Sequence, residues 1–393
     1  MINLIPDSPF QKTRNLLSGI TPKDNIIDLS IGSPRHPIPA FIKPIINDNF
    51  EQLGSYPSSN TNINFGENAL KWLVKRYNIN PENIQGNNIL PVSGSREGLF
   101  TIAFIIKNLN TINNINKNIF LMPNPFYPVY AAAAVCSNHT PLAIDVDEST
   151  NYLPDLEQIP DKILADTAAF YICSPSNPQG SIADIKYFKK LYELALKWNF
   201  IIISDECYSE IYRDLAPPSI LEVAETNNFE KIITFNSLSK RSNVPGLRSG
   251  IAAGDPNIID SFYNLRNIAA ATIPIPLQIA SEALWSDEDH VILNRKLYNE
   301  KFILTESSFG NLYDYKTPPG GFFIWLKIKD FGTDEEVTKK LWEHASIKVI
   351  PGSYLAMKKD NKKHTSEEYI RIALVGEYNE LKIALERIKQ VLK

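Results

Sequence analysis

A lysine stands in an unusual place in the stretch NSLSKRSNVPGLRSG, residues 236–250. Lys240 follows the apolar run KIITF, which predicts a buried strand, and precedes a turn that contains a proline. A lysine at the end of a buried strand usually extends its ammonium group into solvent. Partial desolvation and the neighbouring cations Arg241 and Arg248 would instead lower the pKa of Lys240. A lysine with a lowered pKa can attack an aldehyde and form a Schiff base.

Three further polar residues follow the ends of apolar runs. Asp205 lies near the end of the run FIIISDE. Because an unpaired carboxylate is costly to bury, this side chain is expected to cap a helix, form a salt bridge or pair with a protonated ring nitrogen of a ligand. Tyr208, three residues on, could donate a hydrogen bond to the same ligand. Asn177 lies between two prolines in SPSNPQG, where a rigid turn is expected in any case, although a turn does not require its amide.

An anion site is predicted where GSRE, residues 94–97, opens a helix after a strand. Free backbone N–H groups and the helix dipole attract a phosphate there, although the spacing matches neither a Walker loop nor a dinucleotide fingerprint. Ser237 and Arg248 are natural phosphate partners, the arginine through its planar fork. A lysine for an aldehyde, an aspartate for a ring nitrogen, two donors for a phenolic oxygen and a phosphate cradle together match pyridoxal 5′-phosphate.

The elements that must position these groups follow a regular alternation between residues 85 and 255. Short apolar runs alternate with helical patterns such as IADIKYFKKLYELALKWN, residues 182–199. This alternation predicts an α/β fold in which a largely parallel sheet is buried on both faces. Ligands bind such a sheet at the carboxyl ends of its strands, where the polar residues lie.

Beyond residue 256 long helical stretches, to about 305, lead into a smaller α+β unit, which the N-terminal 30 residues are expected to join. We predict an N-terminal arm over 1–30, a large cofactor-binding domain over 31–285 and a small C-terminal domain over 286–393.

Composition excludes several classes of protein. The chain has 393 residues and a formal charge of −4, with no basic block that would indicate nucleic acid or an anionic membrane surface as a partner. Its three cysteines lie far apart in apolar contexts, as expected of core residues in a reducing compartment. No signal peptide, membrane-spanning run or metal site is predicted, so we expect a cytoplasmic protein.

The stretches CSPSNPQG, SDECYSEIY and SLSKRSNVPGLRSG resemble the fold-type-I pyridoxal-phosphate aminotransferases of class I/II. The resemblance extends from DLSIGSPRHPIP (28–39) to YIRIALV (369–375). It implies that Lys240 forms the Schiff base with the cofactor and moves a proton between it and the substrate α-carbon. It also implies that Asp205 keeps the ring nitrogen protonated and that Tyr208 and Asn177 bond the phenolic oxygen.

The same resemblance assigns the remaining site residues. It implies that Tyr127 stacks on the ring, and that Tyr56 reaches the phosphate of a neighbouring subunit, which makes the active unit a homodimer with shared sites. The phosphate would also be held by Ser95, Arg96, Ser237 and Arg248. The substrate carboxylate would be held by Gly32, Asn177 and Arg371.

The substrate is less closely defined. Stretches such as SIGSPRHPIPAFI and MPNPFYPVY resemble most the bacterial succinyldiaminopimelate aminotransferases of lysine biosynthesis, which implies ping-pong transfer between N-succinyldiaminopimelate and 2-oxoglutarate. Those enzymes often carry glutamate in place of Ser33 and a small-Pro-Pro run in place of TIPIP, residues 272–276. Aspartate, aromatic and LL-diaminopimelate aminotransferases stay open as alternatives, as do a carbon–sulfur β-lyase and a non-catalytic regulatory module. Candidates for binding a distal substrate carboxylate are Arg35, Arg96 and Arg241.

Overall fold

The computed structural model describes residues 7–57, 63–310, 312–358 and 364–393. Its strands are β1 (Ile27–Asp28), β2 (Ile89–Val92), β3 (Ile119–Asn124), β4 (Thr140–Asp145), β5 (Thr167–Cys173), β6 (Ile201–Asp205), β7 (Ile232–Ser237), β8 (Gly250–Gly254), β9 (Phe323–Lys327), β10 (Ile347–Lys348), β11 (Ile350–Pro351) and β12 (Tyr369–Ala373). Its α-helices are α1 (Pro9–Leu17), α2 (Ile42–Asp48), α3 (Ile63–Tyr77), α4 (Ser95–Ile112), α5 (Val129–Cys136), α6 (Asp161–Asp166), α7 (Ile185–Trp198), α8 (Leu221–Ala224), α9 (Leu238–Arg241), α10 (Pro256–Ala269), α11 (Ile275–Ser286), α12 (Asp289–Phe309), α13 (Asp334–Ala345) and α14 (Tyr378–Val391).

One seven-stranded sheet has the order β2-β8-β7-β6-β5-β3-β4. The neighbours from β7 to β4 are parallel, whereas β8 runs antiparallel to both β7 and β2. The predicted α/β class with a mostly parallel sheet is therefore confirmed. The edge strand β4 is only partly buried and so lacks the continuous apolar run that marks the inner strands.

Alternate residues of β5 show why the sheet carries helices on both faces. Phe170 and Ile172 pack into one hydrophobic core with residues of α7, while Ala169 and Tyr171 pack into a second core with residues of α4. Successive side chains of a strand point to opposite faces, so a strand covered on both sides must be apolar throughout. This is the pattern that the sequence shows.

The long helical stretch predicted for residues 256–305 consists of three helices, α10, α11 and α12. The chain leaves the helical conformation at Ala270, and α11 begins only after Pro274. Ile273 directly precedes Pro274, and a residue before a proline avoids the helical region, so no helix can run through this point.

A smaller unit follows, in which β9, β12 and β11 form an antiparallel sheet. Near the N-terminus β1 pairs in parallel with β10, and Ile27 and Leu29 enter the same hydrophobic core as α13 and α14. This pairing supports the expected joining of the N-terminal residues to the C-terminal unit, while the domain boundaries at 30 and 285 stay a prediction. In the described part of the chain, no helix is both long and apolar enough to cross a membrane.

Candidate active site

A cavity of 420 Å³ opens at the carboxyl edge of the large sheet. Most of the residues predicted for the site line it: Gly32, Ser95, Arg96, Tyr127, Asn177, Asp205, Tyr208, Lys240 and Arg371. Ser237, Arg248 and Tyr56 do not. The cavity also has walls that the sequence analysis missed: Ser8–Phe10 at the start of α1, Phe126, Tyr130, Cys173, Phe323 and Leu355.

Strand order explains how residues far apart in sequence reach one cavity. The ends of β5 and β6 are in register, with Cys173 opposite Asp205, and Asp205 is opposite Phe235 of β7. Because these strands are parallel, the turns that follow them emerge at the same edge. Asn177 follows β5 and Lys240 follows β7, so they lie on either side of Asp205.

Lys240 lies on the short helix α9, whose first turn is capped by Ser237, with the Oγ accepting from the Ser239 amide at 3.1 Å. Its Nζ donates a hydrogen bond to the Gly32 carbonyl oxygen at 2.6 Å. Burial lowers the pKa of Lys240 to about 8, and the positive charge of Arg371 acts in the same direction. The lysine therefore has an appreciable neutral fraction near neutral pH.

The expected source of that pKa shift was partly wrong. After burial, the cations that lower the pKa of Lys240 are Arg371 and Arg96, not Arg241 or Arg248. Arg241 is buried on the other side of α9, where it donates to the Leu284 carbonyl at 2.6 Å and forms an ion pair with Glu288. Consecutive helical residues point about 100° apart, so adjacency in sequence did not place this cation beside Lys240.

Asp205 is buried, and both of its carboxylate oxygens accept hydrogen bonds. Oδ2 accepts from the Tyr130 hydroxyl at 2.7 Å, and Oδ1 accepts from the Cys207 amide at 3.2 Å. Burial raises the pKa of Asp205, while these hydrogen bonds and the charge of Lys240 oppose the rise. Tyr130 was missed, although its place three residues after Tyr127 puts both at the opening of α5.

Arg371 projects from β12 with its guanidinium over the ring of Phe323, at 4.4 Å from the ring centroid. Its Nη2 donates to the Ser30 carbonyl at 2.8 Å, and its Nη1 donates to Asn177 Oδ1 at 3.1 Å. Its Nε is buried and has no hydrogen-bond partner among the described residues. Burial lowers the pKa of Arg371 only to about 10, so the group stays a cation that can take up a carboxylate.

The predicted phosphate end lies where α4 begins. Gly94 precedes the helix with φ +85°, and no side chain caps the first turn. A Cβ on Gly94 would overlap the guanidinium of Arg248, which donates to the Ser93 carbonyl at 3.3 Å. The free amides at the start of this 18-residue helix and the nearby arginine are suited to an anion.

Arg96 lines both this cavity and a second opening of 560 Å³, whose wall also includes Arg248, Ala271 and Thr272. The Nε of Arg96 donates to the Tyr127 hydroxyl at 2.6 Å, which holds that aromatic ring at the cavity wall. Ser237 caps α9 and lies outside both linings. Tyr56 is fully exposed, so it does not serve the cavity of its own chain.

Pyridoxal phosphate fits these residues. A buried lysine with a lowered pKa suits its aldehyde, and the buried Asp205 suits a protonated ring nitrogen. The uncapped start of α4 suits its phosphate, and the unpartnered Nε of Arg371 remains for the carboxylate of a substrate. Each residue's role toward the cofactor stays a prediction.

Comparisons with known proteins agree with this chemistry. A family model described as aminotransferase class I and II matches residues 24–388. An LL-diaminopimelate aminotransferase of Aquifex aeolicus (strain VF5) is 30% identical over 377 residues, which cover 93% of this chain and 92% of that protein.

Two solved structures share the fold along almost the whole chain. An aminotransferase from Neisseria meningitidis Z2491 has a TM-score of 0.89 and 36% identity, covering 98% of this chain and 97% of that one. Aminotransferase AspB from Helicobacter pylori 26695 has a TM-score of 0.89 and 30% identity, covering 98% of each chain. The chain therefore belongs to the class I and II aminotransferases, whose cofactor is pyridoxal 5′-phosphate.

Proposed function

We propose that this aminotransferase acts in lysine biosynthesis and exchanges an amino group between a diaminopimelate-type substrate and 2-oxoglutarate. The observation that supports this most directly is the single cavity that joins Lys240 and Asp205 to Arg371, with a further cation, Arg96, in its wall. Such a cavity suits an amino acid with one carboxylate beside the reacting carbon and a second carboxylate further away.

Arg371 would bind the carboxylate next to the reacting carbon. Its guanidinium is held by Ser30 and Asn177 and lies over the ring of Phe323, so its orientation is set before the substrate arrives. A fixed planar fork places the reacting carbon more accurately than a mobile ammonium group does.

Lys240 would move the proton. Pyridoxal phosphate supplies an aldehyde that accepts the amino group and a ring that takes up the electron pair of the α-carbon. With its pKa lowered to about 8, Nζ of Lys240 can take a proton from the α-carbon and return it to the cofactor side. Phe126, Phe323 and Leu355 give the cavity an apolar wall that excludes bulk water from this transfer.

Two substrates are the leading candidates. LL-diaminopimelate is the first, because the Aquifex aeolicus relative that is 30% identical carries that activity in its name. N-succinyldiaminopimelate, to which the sequence resemblance pointed first, is the second. Thr272, in the stretch where this chain departs from those enzymes, lies with Arg96 in the wall of the second opening. Each candidate has a carboxylate remote from the reacting amino group.

Arg96 is the favoured residue for that remote carboxylate. Of the three arginines considered, Arg35 pairs with Glu380 at 3.3 Å and Arg241 pairs with Glu288. Arg96 lines the cavity and forms no ion pair with the residues that the structure describes. Its guanidinium is thus available either to a distal substrate carboxylate or, as the resemblance implies, to the cofactor phosphate.

We also propose a homodimer with shared active sites, in which Tyr56 of one subunit serves its partner. Its full exposure in the single chain supports this. Mixing inactive Lys240→Ala subunits with Tyr56→Ala subunits should restore activity, since one site of the mixed dimer then keeps both residues. Independent sites would leave the mixture no more active than its components.

Product analysis of the holoenzyme tests the proposal. 2-Oxoglutarate is offered with LL-diaminopimelate, N-succinyl-LL-diaminopimelate, aspartate or an aromatic amino acid, and glutamate and the new keto acid are quantified by mass spectrometry. A preference for aspartate or an aromatic substrate would overturn the substrate assignment. Pyruvate and ammonia formed from a sulfur amino acid, with no keto acid acceptor added, would indicate a carbon–sulfur β-lyase.

The variant Arg96→Gln, with Arg35→Gln as its matched control, separates the two roles of Arg96. A role in substrate recognition raises KM for diaminopimelate substrates alone. A role at the phosphate weakens cofactor binding and affects every substrate alike.

A further inference from the structure

A buried lysine outside the active-site cavity, Lys301, has an unusual partner. It lies on α12, is 3% exposed, and its Nζ is 2.6 Å from Nε2 of His36. No carboxylate lies within salt-bridge distance of it among the residues that the structure describes. Burial lowers the pKa of Lys301 to about 8, with Glu377 and Glu380 opposing this and Arg35 adding to it. A lysine held this way is expensive to bury, so its contact with His36 is informative.

The contact determines which nitrogen of His36 carries the proton. A lysine ammonium group can only donate, so Nε2 must accept, and the proton of the neutral imidazole must lie on Nδ1. Nδ1 is 2.7 Å from Oδ1 of Asn294, which can accept that proton. The pKa of His36 is lowered to about 4, chiefly by burial, so the ring is neutral at physiological pH.

The orientation of Asn294 follows in turn. Because its Oδ1 accepts from His36, its Nδ2 is directed to the main chain of α9. There it donates to the carbonyl oxygens of Lys240 at 3.2 Å and of Arg241 at 3.4 Å. Asn294 is 3% exposed, so water does not replace these bonds.

A second set of contacts also links the region around His36 to Lys240. Gly32, four residues before His36, accepts the hydrogen bond from Nζ of Lys240. The His36 ring also lies 4.3 Å from that of Tyr298, which stacks on Phe322, and Phe322 lies under Nζ of Lys240. His36 therefore anchors the segment 32–36 to α12, and Asn294 of α12, oriented by His36, anchors α9.

We infer that Lys301 is a positioning residue for transamination: it orients His36 and Asn294, and so holds the main chain of Lys240 and the segment 32–36 in the reactive arrangement. This rests on the proposed roles of Lys240 and Gly32. Without a donor at position 301, His36 can carry its proton on Nε2. A lone pair on Nδ1 would then face Oδ1 of Asn294, and the amide would have to turn an acceptor toward the Lys240 carbonyl.

The first test measures the tautomer and needs no activity. Cofactor-free protein labelled with ¹⁵N-histidine is compared between wild type, Lys301→Met and Lys296→Met, which removes an exposed lysine from the same helix. The chain has five histidines, and the His36→Asn variant identifies the signal of His36. We expect the Nδ1–H form in the wild type and Lys296→Met, and a mixture of the Nδ1–H and Nε2–H forms in Lys301→Met. An unchanged Nδ1–H signal in Lys301→Met would overturn the inference.

The second test measures turnover with whichever amino acid the wild type uses best, so it does not depend on the diaminopimelate assignment. We expect Lys301→Met to lower kcat by about 10-fold through misplacement of Lys240, with KM little changed because Arg371 is untouched. Asparagine at position 36 can present an N–H where Nδ1–H lies, whatever residue 301 is. In the His36→Asn background, Lys301→Met should therefore have almost no further effect.

An equal loss in both backgrounds, or none in either, would contradict the positioning role. If the wild type transaminated neither diaminopimelate substrate, the proposed function would fail. The inference about Lys301 would still be decided by the tautomer of His36 and by the effect of Lys301→Met on kcat in the two backgrounds.

Discussion

Replacing Tyr130 by phenylalanine removes the hydroxyl that donates to Asp205 Oδ2 at 2.7 Å and leaves the rest of the ring in place. A hydrogen bond to a buried charged group contributes about 2 kcal/mol. We therefore expect the free energy of unfolding of the cofactor-free protein to fall by about that amount near neutral pH. The pKa of Asp205, already raised by burial, should rise further, and pyridoxal phosphate should bind more weakly because less of the carboxylate is ionised.

Tyr171→Phe is the matched control. Tyr171 is also fully buried and stacks on Tyr130 at 4.6 Å, but its hydroxyl donates to the neutral Leu99 carbonyl at 2.7 Å. Its loss should cost about 1 kcal/mol and leave cofactor binding unchanged.

The pH dependence separates the two variants. Since the folded pKa of Asp205 lies above the unfolded value, the folded state binds more protons in the window between them, and stability falls as pH rises through it. Tyr130→Phe extends this window upward, so its deficit should shrink as pH falls, whereas the deficit of Tyr171→Phe should stay constant. Urea unfolding at several pH values and cofactor titration measure both effects. A deficit for Tyr130→Phe that is independent of pH, with unchanged cofactor affinity, would refute the reasoning.

Other predictions follow from the same cavity. Lys240→Ala should abolish transamination and also the covalent attachment of the cofactor, which borohydride reduction and mass spectrometry detect. Asp205→Ala should keep the attachment and lose most of its turnover. An active Lys240→Ala enzyme would contradict the assignment. Because the neutral amine of Lys240 is the nucleophile, the rate at which cofactor-free protein takes up pyridoxal phosphate should rise with pH and level off above about pH 8. Stopped-flow absorbance measures this rate. A rate that does not change with pH below about 8 would argue against the lowered pKa of Lys240. Arg371→Lys should raise KM for amino acids about 10- to 100-fold, because one ammonium group replaces a planar fork, and steady-state kinetics that show no change in KM would exclude the carboxylate role.

The polar residues at the strand ends could be identified from the sequence, because each stands where a run of apolar residues ends. Asp205 and Asn177 each follow a strand that is buried on both faces, so a polar residue at that point stands out from its surroundings. Parallel strands bring such ends to one edge, and their meeting in one cavity follows from topology alone. The prediction needed no knowledge of side-chain direction.

Side-chain direction is where sequence reasoning failed. Arg241 follows Lys240 directly, yet it points to Leu284 and Glu288, while the cation with the larger effect on the lysine is Arg371, 131 positions along the chain (371 − 240). Tyr130 could have faced any neighbour of α5, and only the packing of that helix against the sheet directs it to Asp205.

The fold class, the chemical groups at the strand ends and the cofactor that they suit could all be predicted from the sequence, because each depends on local pattern and on the alignment of parallel strands. Which of these groups touch became clear only from the folded arrangement. Asn177 meets Arg371 across 194 positions, and His36 meets Asn294 and Lys301 across 258 and 265. Contacts between such distant residues depend on how whole helices pack and which way each side chain leaves the backbone, and no local pattern encodes either.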